Sequence, residues 1–188
     1  MEVNCMALRD NTKKLFADTL LKMASEMPLE KVRVKDLCAR CGADRQTFYY
    51  HFHDKYDLIA WIFIQDYSEA IELSGGGYPI EHAIKILERM YKNRRFYRQA
   101  YSDKSQNAVS EYVYDYFVKL GLDVIRAHLG VEDPGPLITY IIKSHAFASV
   151  GHTIEWLNGK ASYTTEEFAN YMYITMPKIL RDAYGITL

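Results

Sequence analysis

Residues 35–55 of this 188-residue chain, Lys35 to Lys55, read KDLCARCGADRQTFYYHFHDK. Leu37, Cys38 and Cys41 form the inner side of a short helix, predicted at Val34–Cys41. Gly42 follows where a turn needs a residue that tolerates positive φ. Asp44 is a good N-cap, so a second short helix is predicted at Arg45–Phe52. Phe48 and Phe52, four apart, point inward together and lock that helix onto its neighbours. A pair this short cannot bury a core alone, and the flanking sequence has to supply the scaffold.

On the N-terminal side, Leu15, Phe16, Thr19, Leu20, Met23 and Met27 recur at helical spacing, predicting a helix from about Leu8 to Met27 that Pro28 ends. A link over Leu29–Arg33 leads into the helix pair. On the C-terminal side Asp54 caps a fourth helix, Lys55 to about Leu73, whose first turn carries Asp57. Leu58, Ile59, Ile62, Phe63, Tyr67 and Ala70 make its apolar stripe, and Trp61 and Ile64 widen it, so this helix bridges head and body.

Ser74-Gly75-Gly76-Gly77 then breaks the chain, and Pro79 opens a fifth helix. Lys92–Tyr101 reads as a turn and a short sixth, Ala108–His128 as a long seventh, and Leu137–Leu157 as an eighth. Thr164-Thr165-Glu166-Glu167 is a capping box for a ninth helix reaching about Tyr184, kinked at Pro177. No strand pattern occurs. The expected fold is all-α with nine helices: a three-helix helix-turn-helix head over residues 1–54, and a body over 55–188 with helix 55–73 as the bridge.

Composition excludes several classes. The longest apolar runs are too short for a membrane span. The N-terminus shows no basic stretch followed by an apolar one, which predicts a cytoplasmic protein. Net charge is −1 overall, yet Lys31–Lys55 carries six basic residues against three acidic ones. Such a local excess can engage phosphates while the rest stays neutral. The three cysteines are Cys5, Cys38 and Cys41. Cys38-Ala-Arg-Cys41 lacks the further ligands a zinc site needs, so no metal or cofactor is expected; the pair reads as helix packing, with a thiol sensor as the alternative. No phosphate loop, nucleophile elbow or HExxH occurs, and no enzyme is expected.

Three short helices with a tight turn before the last match the helix-turn-helix layout, whose final helix enters the DNA major groove by its N-terminal residues. Those residues are Arg45, Gln46 and Thr47. Arg can bond guanine O6 and N7, Gln adenine N6 and N7, and the Thr methyl suits thymine. Tyr49, Tyr50, His51 and Lys55 would then reach backbone phosphates. A solvated helical hairpin with no DNA role is the plain alternative.

LCARCGADRQTFYYHFHDKYDLI resembles the signature of the TetR family of transcriptional regulators. The match rests on Gly42, Thr47-Phe48-Tyr49-Tyr50-His51-Phe52, Lys55 and Leu58, about a quarter of the chain. The resemblance implies a nine-helix, Ω-shaped homodimer on a palindromic operator, more often a repressor than an activator. It implies DNA contacts at Lys35, Arg45, Gln46, Thr47, Tyr49, Tyr50, His51 and Lys55. It also implies pairing through helices eight and nine, where Ser144, Ala148 and Gly151 permit close approach. One departure stands: the Ser or Thr that often opens the family's second helix is replaced by Arg33-Val34.

In the body the family holds small-molecule effectors, and Tyr91, Tyr97, Tyr112, Tyr116, His145 and His152 are candidates, although aromatics at helical spacing also build plain cores. His145 and His152, seven apart, admit a pocket wall, a hydrogen-bonded dimer seam or an incomplete metal pair. Arg94, Arg95 and Arg98 admit an anionic effector, a reach toward DNA or a solvated face. The run HAFASVGHTIEWLNGKASYTTEEFA is similar to a subgroup that includes regulators of dihydroxyacetone kinase operons (DhaS-like), which implies control through a partner protein. A helical interaction module without strong DNA binding is the remaining alternative.

Overall fold

The computed structural model describes residues 2–72, 80–102 and 109–186, with side chains from residue 11 to 68 and throughout the two later stretches. Among the described residues there are ten α-helices and one 3-10 turn: α1 (Glu2–Glu26), η1 (Leu29–Lys31), α2 (Val34–Cys41), α3 (Arg45–His51), α4 (Lys55–Glu72), α5 (Ile80–Lys92), α6 (Arg94–Ser102), α7 (Val109–Leu129), α8 (Pro136–Leu157), α9 (Thr165–Thr175) and α10 (Lys178–Tyr184). The expected break at Ser74–Gly77, the helix start at Pro79, Ala108, and the side chains of Cys5 and Ala70 lie outside the described residues. No described helix is long and apolar enough to cross a membrane.

Helix count differs from the expected nine because the last helix is split. Met176 takes an extended backbone (φ −62, ψ 130) and Pro177 (φ −54, ψ 138) precedes α10. Proline has no N–H to continue the ladder, and its ring pushes the preceding residue out of helical space. The sequence reading allowed only a kink; the chain uses a full break.

Packing divides the chain into two compact units. The first holds Met1–Ile64 with Arg95–Val109, and the second Gln65–Arg94 with Ser110–Leu188. The division falls inside α4 and near the start of α6, because the first turns of α4 belong to the head's core.

That core is aromatic. Phe16 of α1 meets Phe48 edge-on at 5.3 Å and Phe52 at 6.4 Å, Phe48 and Phe52 lie 5.7 Å apart, and Phe52 meets Trp61 of α4 at 6.0 Å. Each such contact adds about 0.5–1.5 kcal/mol beyond its burial. Leu20, Leu37, Leu58 and Ile59 close the remaining space, all buried. Leu15, placed on the inner stripe by periodicity, is instead 45% exposed.

In the second unit, Ile125, Ile142, Met176 and Leu180 form a core buttressed by Leu122, Ile138 and Ile179. Tyr67 packs edge-on against Tyr116 and Phe117 at 5.6 and 5.4 Å. Asp66 pairs with Arg89 at 3.2 Å. The predicted capping box is present: Thr164 accepts from the Glu167 N–H at 3.1 Å, and Glu167 accepts from the Thr164 N–H at 2.9 Å.

Gly121 of α7 lets α8 come close, since a Cβ there would lie 2.8 Å from the Ile142 Cγ2. Ile142 is buried and β-branched, so it cannot swing aside. Gly121→Ala is expected to cost about 1–3 kcal/mol by overpacking, measured by urea denaturation. An unchanged midpoint would show that the two helices separate easily.

Candidate functional site

Both ends of the turn between α2 and α3 are fixed by local capping. Gly42 closes α2 in the left-handed conformation (φ 70, ψ 22). Asp44 caps α3 by accepting the Thr47 N–H at 2.6 Å. That bond, foremost among its causes, holds the Asp44 carboxyl below its usual pKa. Asp54 caps α4 in the same manner, accepting from the Tyr56 and Asp57 N–H groups at 2.7 and 2.9 Å.

With Phe48 of α3 and the following Phe52 buried, Arg45, Gln46, Tyr49 and Tyr50 point outward. Arg45 and Gln46 are exposed and Thr47 half-buried. Tyr49 and Tyr50 are 57% and 63% exposed, a large amount of aromatic surface in contact with water. His51 is half-buried and its ring lies 5.0 Å from that of Tyr50. Lys35 stands exposed on α2.

The head's cations are not equally available. Arg33 bonds Asp36 at 2.8 Å and Arg40 bonds Glu26 at 2.6 Å. Neither Lys35 nor Arg45 forms an ion pair among the described residues. Lys55 donates to the carbonyls of Leu29, Glu30 and Val32 at 3.0, 3.1 and 3.3 Å. An ammonium has three donors, so this arrangement uses all of them inside the head. Arg33 occupies the N-cap position of α2 without any side-chain cap bond. The usual hydroxyl cap is therefore lost, and the guanidinium turns to Asp36.

Cys38 is buried, as expected, and burial pushes its thiol pKa up. Cys41 is only half-buried, its Sγ 3.5 Å from the Cys38 carbonyl oxygen.

Of the six candidate pocket residues, His145 and His152 line a common groove. Tyr97 is buried beside Phe96 in the first unit, while the others belong to the second. Tyr91 and Tyr112 are 49% and 44% exposed. Tyr91 lies 5.4 Å from the ring of Trp156, and the Arg94 guanidinium sits over it at 5.2 Å. Helical spacing placed these side chains by face but could not say which neighbour each face meets.

His145 has a definite place. It lines a cavity of about 50 Å³ with Phe117, Gly121, Ile142 and Tyr173, and also an open groove of about 490 Å³ between α8 and α9. Burial holds its pKa below the ordinary histidine value. His152 lines the groove only, 3.9 Å from Glu155. Among the described residues no group of three His, Cys, Asp or Glu could hold a metal.

The three candidate pairing residues, Ser144, Ala148 and Gly151, are all exposed on α8. A Cβ on Gly151 would meet nothing within 4 Å. Leu137, Tyr140 and Phe147 on the same helix are 70%, 69% and 75% exposed, and Ile174 of α9 is 62% exposed.

Two family models match the chain. One, described as bacterial regulatory proteins of the tetR family, covers residues 16–62. The other, a transcriptional regulator C-terminal region of the same family, covers residues 78–178, more than half the chain. A curated relative, the HTH-type dhaKLM operon transcriptional activator DhaS of Lactococcus lactis subsp. lactis (strain IL1403), is 26% identical over 91 residues. That alignment takes in 48% of this chain and 49% of the activator, so the chain spans about half the length of the relative it matches.

Among solved structures, the dihydroxyacetone kinase operon activator DhaS superposes with a TM-score of 0.61 at 19% identity, covering 93% of this chain and 96% of that one. The R. erythropolis transcriptional repressor QsdR, of the TetR family, gives 0.45 at 14% identity over 95% and 97% of the two chains. By its head and its C-terminal region, the chain belongs to the TetR family of bacterial regulatory proteins.

Proposed function

We propose that the chain binds double-stranded DNA as a homodimer on a palindromic site, with affinity set by an effector acting on the second unit. The observation that carries the DNA reading is the outward set on α3. Arg45 and Gln46 stand exposed at the helix start, and buried Phe48 and Phe52 hold the helix behind them. Arg45, Gln46 and Thr47 read base edges in this reading; Lys35, Tyr49, Tyr50 and His51 meet the backbone.

Pairing is supported by the exposed apolar stripe on α8 and α9, broken by the small residues Ser144, Ala148 and Gly151. A stripe of this kind is usual for a protein interface and costly when left in water. Two-fold pairing sets the two recognition helices about one DNA turn apart.

Control by a partner protein is the second reading for the effector. The cavity beside His145 holds about 50 Å³, far below the roughly 300–1,000 Å³ of a small-molecule pocket, whereas the open groove that His145 shares with His152 holds about 490 Å³ and suits either a small molecule or a partner's side chains. The likeness to DhaS, an operon activator, is compatible with either source of control. The direct test is a shift assay on the DNA upstream of the chain's own reading frame, against scrambled duplex. Binding to the first but not the second is expected; equal binding to both would contradict sequence-specific recognition.

A further inference from the structure

Chain order places α6 after α5, well away from the head in sequence, yet α6 from Arg95 onward packs in the same unit as the helix-turn-helix. Its polar side chains explain how. Gln99 accepts the Leu29 N–H at 2.5 Å through its amide oxygen. Its amide nitrogen donates to the Ala24 carbonyl at 3.2 Å and to the Arg95 carbonyl at 3.1 Å. The orientation of this amide is determined by its partners, because an N–H can only donate and a carbonyl only accept. One acceptor and two donors are required, and of the side chains of this length only glutamine supplies both. Arg95 adds a hydrogen bond from its Nη1 to the Ser25 carbonyl.

Ala24 and Ser25 lie in the last turn of α1, whose carbonyls have no partner within their own helix. Side chains of α6 therefore cap α1, and the Arg95 cation suits the negative end of that helix. Leu29 is the buried residue of η1, the turn that delivers the chain into α2. Its backbone is held on both sides of the Cα: the N–H by Gln99 of α6, the C=O by Lys55 at the start of α4. The short turn ahead of the recognition pair is thus held by two helices that lie far apart in sequence.

We propose that Gln99 is a positioning residue for DNA binding, acting with Lys55 as a latch on η1 that sets α2 and α3 relative to α6. The proposal rests on the reading of the head as a DNA-binding unit. It adds the element through which α6 governs that head. It also gives Lys55, expected on a phosphate, a different duty.

Three variants of the full chain test it: Gln99→Met, Gln99→Glu and Lys55→Met. Hydrogen exchange is read over residues 24–33, and affinity is read on a duplex selected by the wild-type protein across a salt series. Gln99→Met keeps the volume and loses all three bonds. It is expected to speed exchange of the Leu29 amide about tenfold or more, leave α8 and α9 exchange unchanged, and weaken duplex binding about tenfold. Gln99→Glu has the same shape but sets a carboxylate against two carbonyls, and is expected to be at least as damaging.

The double variant Gln99→Met with Lys55→Met is expected to bind no worse than the weaker single variant, because both act on one turn. The salt slope of Lys55→Met is expected to match wild type. The proposal is overturned if Gln99→Glu behaves as wild type, if exchange rises while affinity stays put, if the two losses add in full, or if the Lys55 variant lowers the salt slope by about one, as a lost phosphate contact would. The exchange arm reads the latch even in a chain that bound no duplex, so failure of the latch and failure of the DNA reading are separable.

Discussion

A Phe147→Glu chain is expected to run as a monomer and to bind its duplex roughly 10²–10⁴-fold more weakly than wild type, the loss that accompanies conversion of a two-headed binder to a one-headed one. Phe147 is 75% exposed and lies between Ser144, Ala148 and Gly151 on the open face of α8. Its ring is held mostly by water, so replacing it removes little from the fold of its own chain. In a two-fold interface a central residue sits near its own symmetry mate, and two glutamates there repel while losing their hydration. The melting temperature at low protein concentration is expected to stay near wild type, while sedimentation shows half the mass. A dimer that survives this change would show that pairing uses another surface.

Arg45→Ala is expected to cost about 1–3 kcal/mol on the selected duplex and to relax sequence preference at one position in each half-site. The physical ground is its position. Arg45 is the first residue of α3, exposed, and without an ion-pair partner among the described residues, whereas Arg33 and Arg40 on the same head are already paired to carboxylates. A guanidinium at a helix start carries five donors and no internal claim on them. Lys35→Ala, by contrast, should weaken all duplexes alike and lower the salt slope by about one. Isothermal binding on the selected duplex and on single-base variants separates these two signatures.

Local chemistry was legible in the sequence wherever partners lie within a few residues. Gly42, Asp44, Asp54 and the Thr164–Glu167 box each act on a neighbouring turn, and each was placed by residue type and spacing alone. The family signature added the head as a whole. Spacing shows faces but not what meets them, and this is where expectation and structure part. Tyr97 and Tyr116 look alike as helical aromatics, yet they pack in different units.

The carbonyl partners of Lys55 lie 23 to 26 residues earlier, a distance over which spacing shows nothing. Gln99 carried no motif at all, since two of its three backbone partners lie 70 and 75 residues away. Gly121 likewise shows its role only beside Ile142. Pro177 was read as a kink because the sequence shows the lost hydrogen bond but not the extended backbone at Met176 and Pro177 that separates α10 from α9.

Selection from a pool of randomised duplexes, run in parallel with wild-type and Arg45→Ala protein, tests the account most directly. Wild type is expected to enrich a two-fold symmetric site with half-sites about one helical turn apart. The variant is expected to enrich the same site with one position in each half degenerate. No enriched motif, or identical motifs from both proteins, would contradict the assignment of α3 as the helix that reads DNA.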